Sequence, residues 1–330
     1  RPDPHRERTQ HASMSSADST SSAPLFSWEE VSKRGAFVRS ESQFRNRVGD
    51  HDFPAESGRY HLYVSYACPW ACRTLMVRQL KGLEDVISVS VVHWHLTEKG
   101  WHFEDEMGLT DHIHGVQYLR QIYEMAHPGY QGKVTVPVLF DTVSNRIVNN
   151  ESSEIIRMLN SQFQDFAKHP EVNLYPEEFQ DEIDEINEWV YSDINNGVYK
   201  SGFAKTQEAY EDAVRPLFAS LDRVERILSK KRYLVGDQLT EADVRLFTTL
   251  IRFDVVYVGH FKCNLRRIED YPHLSNYVRD IYQTGALADT VNFEHIKNHY
   301  YHSHRSVNPT GIIPVGPEID FSTPHNRALL

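Results

Sequence analysis

The sequence predicts two domains, a mixed α/β domain followed by an all-helical one. Three observations lead there. The chain has 330 residues, and at roughly 150 residues per domain that length calls for about two. Its first half alternates extended and helical patterns in the order β-α-β-α-β-β-α. After Pro176 the apolar residues keep helical spacing instead. Hydrophobic residues make up 40% of the chain, enough to fill cores of that size, which argues against global disorder.

Taken in order, residues 1–25 are Ser-rich and nearly free of core-forming side chains, which predicts a disordered arm. The arm has no apolar stretch for a secretory signal. Its Arg1, Arg6 and Arg8 are matched by Asp3, Glu7 and Asp18, so a cytoplasmic chain is expected, with a mitochondrial presequence left open. The α/β domain and an N-terminal extension are assigned to residues 26–160. Tyr60–Tyr66 is a strand rich in β-branched and aromatic side chains. Cys68-Pro69 follows, and a helix runs over Trp70–Leu80 with the proline in its first turn. Val86–Val92 is nearly continuous in apolar residues, as a buried parallel strand is. A helix over Val116–Met125, a strand over Val134–Phe140 interrupted by Pro137, a strand over Asn145–Val148 and a helix over Glu151–Leu159 complete the domain.

A linker near 161–176 leads to the helical domain, assigned to residues 161–307. Seven acids between positions 177 and 188 read as a solvated helix face. Val214, Leu217, Leu221, Val224 and Leu228 mark a long amphipathic helix, with a kink expected at Pro216. Thr240 and Asp243 form a capping-box variant opening the next helix. Further helices cover Leu274–Tyr282 and Phe293–Tyr300. Residues 308–330 form an extended tail with four prolines. Its Ile312, Ile313, Val315, Ile319 and Phe321 are expected to pack on the body or on a partner subunit.

Charge and cysteine usage narrow the function classes. With 35 Lys+Arg against 46 Asp+Glu the net charge is −11, which argues against binding nucleic acid through its backbone. No stretch approaches the roughly 20 apolar residues of a membrane span. Three cysteines cannot make a disulfide scaffold and point to a reducing compartment.

Cys68 is the sharpest chemical feature. Between a strand and a helix, free N–H groups and the helix dipole favour a thiolate, although a buried, inert cysteine also fits the position. Ala71 stands where a C-x-x-C enzyme has its resolving thiol, and Cys72 is expected to face inward. A one-thiol site needs an outside thiol for regeneration. Pro137 within a strand suits either a cis Val136-Pro137 bond, which turns Val136 backbone groups to a ligand, or a trans bond on an edge strand. Asn150-Glu151-Ser152-Ser153-Glu154 opens a helix and can hold a carboxylate, with Glu151 facing an ammonium. Alone it reads as an ordinary cap. Together the three features suit a peptide bearing carboxylate, amine and sulfur, namely glutathione. The clusters His93/His95/His102, His112/His114 and His299/His302/His304 lack a thiolate or carboxylate at ligand spacing. They are expected to face solvent or hydrogen-bond rather than bind metal.

Cys68-Pro69-Trp70-Ala71, Val134-Thr135-Val136-Pro137, Asn149 through Glu154 and the Leu239–Asp243 box follow the order found in cytosolic glutathione transferases. His93-Trp94 with Gly100-Trp101, Asn196 through Ala204, and His295 through Tyr301 resemble the glutathionyl-hydroquinone reductases, or Xi-class glutathione transferases, over about residues 40–310. The resemblance implies a thioredoxin-like N-terminal domain, an all-α C-terminal domain and a homodimer. It implies Cys68 as the catalytic thiol, and Trp101, Lys133, Val136, Glu151 and Ser152 as glutathione contacts. Lys133 departs from the Arg usual in relatives. Tyr199 and Tyr300 would meet the quinol oxygens, with Tyr301 as the alternate. Glutathione acts as co-substrate, no metal is required, and the partners are glutathione and glutathionyl-quinols. A glutaredoxin-like thioltransferase or dehydroascorbate reductase needs the same thiol, and a non-catalytic ligand-binding scaffold needs no reactive thiol at all.

Overall fold

The computed structural model describes residues 30–330, so the arm expected over residues 1–25 lies outside the described residues. β1 (Glu30–Val31) and β2 (Phe37–Val38) form a short antiparallel ribbon of their own. The main sheet has four strands in the order β4-β3-β5-β6. β3 (Tyr60–Val64) runs parallel to β4 (Ser88–Val91) and antiparallel to β5 (Val138–Asp141). β5 runs antiparallel to β6 (Arg146–Asn149). Every residue of β3 is buried, which explains its unbroken apolar and aromatic run: an inner strand covered on both faces needs no polar alternation. The helices α1 (Pro69–Leu80), α2 (Leu119–Ala126) and α3 (Ser152–Ser161) accompany this sheet.

Several elements differ from their predicted bounds for identifiable reasons. Strand pairing begins only at Val138, because Val136-Pro137 is cis and residues 134–137 run as irregular chain. The cis alternative therefore holds. α2 starts at Leu119 rather than Val116, since the Gln121 side chain accepts from the Tyr118 N–H at 2.9 Å and fixes the helix start there. Glu151 caps α3 instead of joining it, accepting from the Ser153 N–H at 3.1 Å.

Helices dominate after Pro176. α4 (Gln180–Trp189) passes through a π-helical turn over Val190–Asn195 into α5 (Asn196–Gly202). The seven acids between 177 and 188 are all exposed, as a solvated face requires. α6 (Gln207–Leu228) continues across Pro216 as one element. α7 (Glu241–Arg252) opens with the expected box, the Thr240 N–H donating to Asp243 Oδ2 at 2.9 Å. A second π-helical turn, Phe253–Tyr257, leads into α8 (Val258–His260). α9 (Pro272–Tyr282) and α10 (Phe293–Ser303) follow. Gly202 is required by close approach: a Cβ there would lie 2.1 Å from the Phe261 ring.

The tail divides. Phe321 is buried and stacks on Phe293 at 5.4 Å, and Arg327 is fully buried with its guanidinium on the Leu228 and Arg232 carbonyls. Ile313 and Ile319 pack against the core, but Ile312 and Val315 are exposed.

Candidate active site

A cavity of about 440 Å³ lies where the sheet domain meets the helices. Cys68, Trp101, Lys133, Val136, Glu151, Ser152, Tyr199 and Tyr300 all line it. Six separate stretches of the sequence thus converge on one space, each delivered by a local feature. Cys68 is the N-cap of α1 and is partly exposed, with Pro69 in the first turn. Its thiol reaches the Val136 carbonyl at 3.7 Å, so the cis peptide presents a backbone oxygen to the sulfur.

The electrostatics around Cys68 work in opposite directions. Burial pushes the thiol pKa up. The Ala71 and Trp70 N–H groups and the Arg252 and Arg39 guanidiniums pull it down. The thiolate-favouring groups expected at a helix start are present, but burial outweighs them and the net direction is upward, opposite to expectation.

Glu151 holds its place through Ser42 Oγ at 3.0 Å and Ser153 Oγ at 2.9 Å. Beneath it the buried Arg73 donates to Ser152 Oγ at 3.3 Å and to Asn195 Oδ1 at 3.0 Å. Trp101 stacks on His299 at 5.1 Å, and His299 Nδ1 meets the Trp94 carbonyl at 2.8 Å. The Nδ1 nitrogen therefore carries the proton, since a carbonyl only accepts. Across the cavity the Tyr199 and Tyr300 hydroxyls lie 2.5 Å apart, and Tyr257 joins Tyr300 at 3.0 Å. Burial raises all three phenol pKa values, so the cluster stays protonated and can donate.

Two family models match the chain: glutathione S-transferase N-terminal domain over residues 67–162 and C-terminal domain over residues 207–280. It is 56% identical over 292 residues to the glutathionyl-hydroquinone reductase PcpF of Sphingobium chlorophenolicum, spanning 88% of this chain and 92% of that protein. It is 53% identical to the glutathionyl-hydroquinone reductase YqjG of Escherichia coli K12, over 91% of this chain and 94% of that one. The chain belongs to the glutathionyl-hydroquinone reductases, the Xi-class glutathione transferases. The crystal structure of the Xi-class enzyme from Phanerochaete chrysosporium superimposes with a TM-score of 0.86 at 52% identity, over 90% of this chain and 97% of that one. The glutathione-bound structure of YqjG gives 0.84 at 53% identity, over 87% and 96%.

Within this Xi-class fold the alternate Tyr301 does not line the cavity; its hydroxyl points at the Val256 carbonyl, 3.4 Å away. Of the two alternatives expected for the histidine clusters, His299 and His304 take the hydrogen-bonding one: His299 meets the Trp94 carbonyl, and His304 Nδ1 lies 3.2 Å from His260 Nε2. Both are buried in the cavity wall, and burial lowers His299 to about 4 and His304 well below its ordinary value. No group of three or more His, Cys, Asp or Glu able to hold a metal occurs among the described residues. None of the described helices is long and apolar enough to cross a membrane.

Sequence reasoning missed Arg252, Tyr257, Ser42 and Arg39. Arg252 is fully buried and donates to the Ala67 and Tyr66 carbonyls at 2.9 and 3.0 Å, fixing the chain just before Cys68. A charged residue beside Leu250, Ile251 and Phe253 on an apolar helix face was a visible signal for it. Tyr257 ends a π-helical turn, which shifts the helical register in a way no spacing rule foresees. Ser42 and Arg39 lie in the irregular extension, where pattern reading has no period to use.

Proposed function

We propose that this enzyme removes glutathione from glutathionyl-hydroquinones through a Cys68-glutathione mixed disulfide. The observation that carries the reading is the shared cavity: a partly exposed N-cap thiol opens on the same space as the paired Tyr199 and Tyr300 hydroxyls. In the first step the Cys68 thiolate attacks the sulfur of the adduct. The carbon–sulfur bond breaks, and the ring carbon takes a proton while the Cys68–glutathione disulfide forms. The buried phenols remain protonated and supply that proton or hydrogen-bond the quinol oxygens. In the second step a glutathione thiolate attacks the disulfide, releasing oxidised glutathione and the free thiolate. Glutathionyl-hydroquinone plus glutathione thus gives hydroquinone plus oxidised glutathione, and the two electrons leaving the thiols reside in the new carbon–hydrogen bond.

Trp101, Lys133, the Val136 backbone, Glu151 and Ser152 hold the glutathione moiety in this reading. The α3 N-terminus and Ser152 hydroxyl suit its carboxylate, and Glu151 suits its ammonium. We assign the sheet domain with its extension to residues 26–160, the helical domain to 161–307 and the tail to 308–330. A homodimer in a reducing, cytoplasmic compartment completes the reading, with exposed Ile312 and Val315 as apolar surface for a second subunit. Sedimentation measures the assembly.

The deciding assay incubates the protein with glutathione and a glutathionyl-hydroquinone. Free hydroquinone and oxidised glutathione should appear in equal amounts, and Cys68→Ser should abolish both. Retained activity in the serine variant would overturn the mechanism. Faster turnover of small disulfides than of quinol adducts would instead indicate a thioltransferase, and no turnover of either a ligand-binding scaffold.

A further inference from the structure

Arg39 follows β2 in the N-terminal extension and lines the cavity beside Tyr199. Its Nε donates to Asn196 Oδ1 at 2.8 Å. The guanidinium carbon sits 4.7 Å from the Trp70 ring centroid, 4.9 Å from that of Tyr199 and 5.3 Å from that of Phe37. Three rings and one amide therefore fix the plane of the fork. Nη2 is buried and has no hydrogen-bond partner among the described residues.

A cation held this rigidly with an unused, desolvated donor is costly unless something fills it. Stacking on Trp70 and Tyr199 offsets part of that cost but supplies no acceptor. Its charge favours the ionised forms of both Cys68 and Tyr199, so the fork sits beside the reacting groups. The neighbouring Phe37, Trp70 and Phe203 are apolar or donor-only. Glu41 also lines the cavity, but it is exposed. A ligand entering the cavity can supply the missing acceptor, and a planar guanidinium fork matches a carboxylate best.

We propose that Arg39 determines acceptor specificity, its free N–H binding a carboxylate carried on the hydroquinone ring. The proposal rests on the quinol-reducing reading given above and names a substrate class for it. A ring lacking such an acceptor leaves the donor unpaired, which is the situation in which a polar site discriminates most strongly.

The test compares two glutathionyl adducts of the same hydroquinone, one carrying a ring carboxylate and one without it. Wild type should show kcat/KM higher for the carboxylated adduct by roughly tenfold or more, the range of a charge-assisted hydrogen bond. Arg39→Met should collapse that ratio toward one. Arg39→Lys, which keeps the charge but loses the fork, should give an intermediate ratio. The ratio is the readout, because loss of stacking on Tyr199 can lower both rates together. A wild-type preference for the uncarboxylated adduct overturns the proposal without any variant, and so does an unchanged ratio in Arg39→Met. If wild type turns over neither adduct, the quinol-reducing reading itself fails, an outcome distinct from turnover without preference.

Discussion

At Cys68 two opposing effects meet on one sulfur, and pH separates them. Burial sets the thiol above the ordinary value of 9.0 in the ligand-free protein. The thiolate population then grows about tenfold per pH unit throughout the range below that value. Carbamidomethylation of Cys68, followed by mass spectrometry, should accelerate steadily from pH 6 to pH 9 without a plateau. A plateau near neutrality would mean that the helix N–H groups and Arg252 outweigh burial after all. The phenols offer a cleaner comparison. Tyr300→Phe removes the hydroxyl shared by Tyr199 and Tyr257, and should lower kcat/KM on a glutathionyl-quinol by roughly a hundredfold. Tyr301→Phe, whose hydroxyl points away from the cavity, should stay within about twofold. The thiol and the tyrosine pair were legible in the sequence because each sits in an ordered string. The direction of the thiol's pKa was not, since burial depends on packing that no local motif encodes.

At the scale of elements, α7 carries the most consequence per residue. Asp243 accepts from the Thr240 N–H, from the Leu234 N–H at 3.0 Å and from the Tyr277 hydroxyl at 2.7 Å. Asp243→Ala leaves those buried donors unsatisfied, at about 1–3 kcal/mol for each one that finds no water. It should shift the denaturant midpoint far more than Glu241-to-Arg252 helix propensity alone would. At the opposite end of α7, Arg252→Met strips the Ala67 and Tyr66 carbonyls of their donor. Stability should fall by a similar amount, and turnover should fall further because the loop before Cys68 loses its anchor. The capping box was readable because it is a local pattern with a fixed spacing of three. The strand over 134–140 was misjudged in length because apolar content reports burial and not pairing. Only the cis peptide limits the ladder to Val138 and beyond.

The whole molecule carries an acid sensitivity that follows from its buried histidines. Burial lowers His61, His93 and His299 to about 4 and His260 to about 3. In the unfolded chain these groups titrate near 6.5. Between those values the unfolded state binds protons that the folded state refuses, so stability rises with pH there. The stabilising effect is fully present above pH 6.5 and is lost progressively as pH falls toward 4 and then 3. The melting temperature should be level above pH 7 and drop steadily between pH 6.5 and 4. An equal melting temperature at pH 7 and pH 5 would show that these rings charge without unfolding. The two-part architecture was legible from periodicity, because core faces repeat every two or 3.6 residues. Which histidines are buried was not legible, because a ring that stacks on other rings leaves no periodic trace.

Arg252 also bears on modularity. The peptide that presents the nucleophile takes its hydrogen bonds from a side chain more than 180 positions later, in the other half of the protein. The halves are therefore not interchangeable parts. A chimera joining this sheet half to a helical half from another transferase class inherits the thiol but also needs a donor at this address. Without one, the graft should fold as two competent pieces while the sulfur sits out of register with the chemistry it serves.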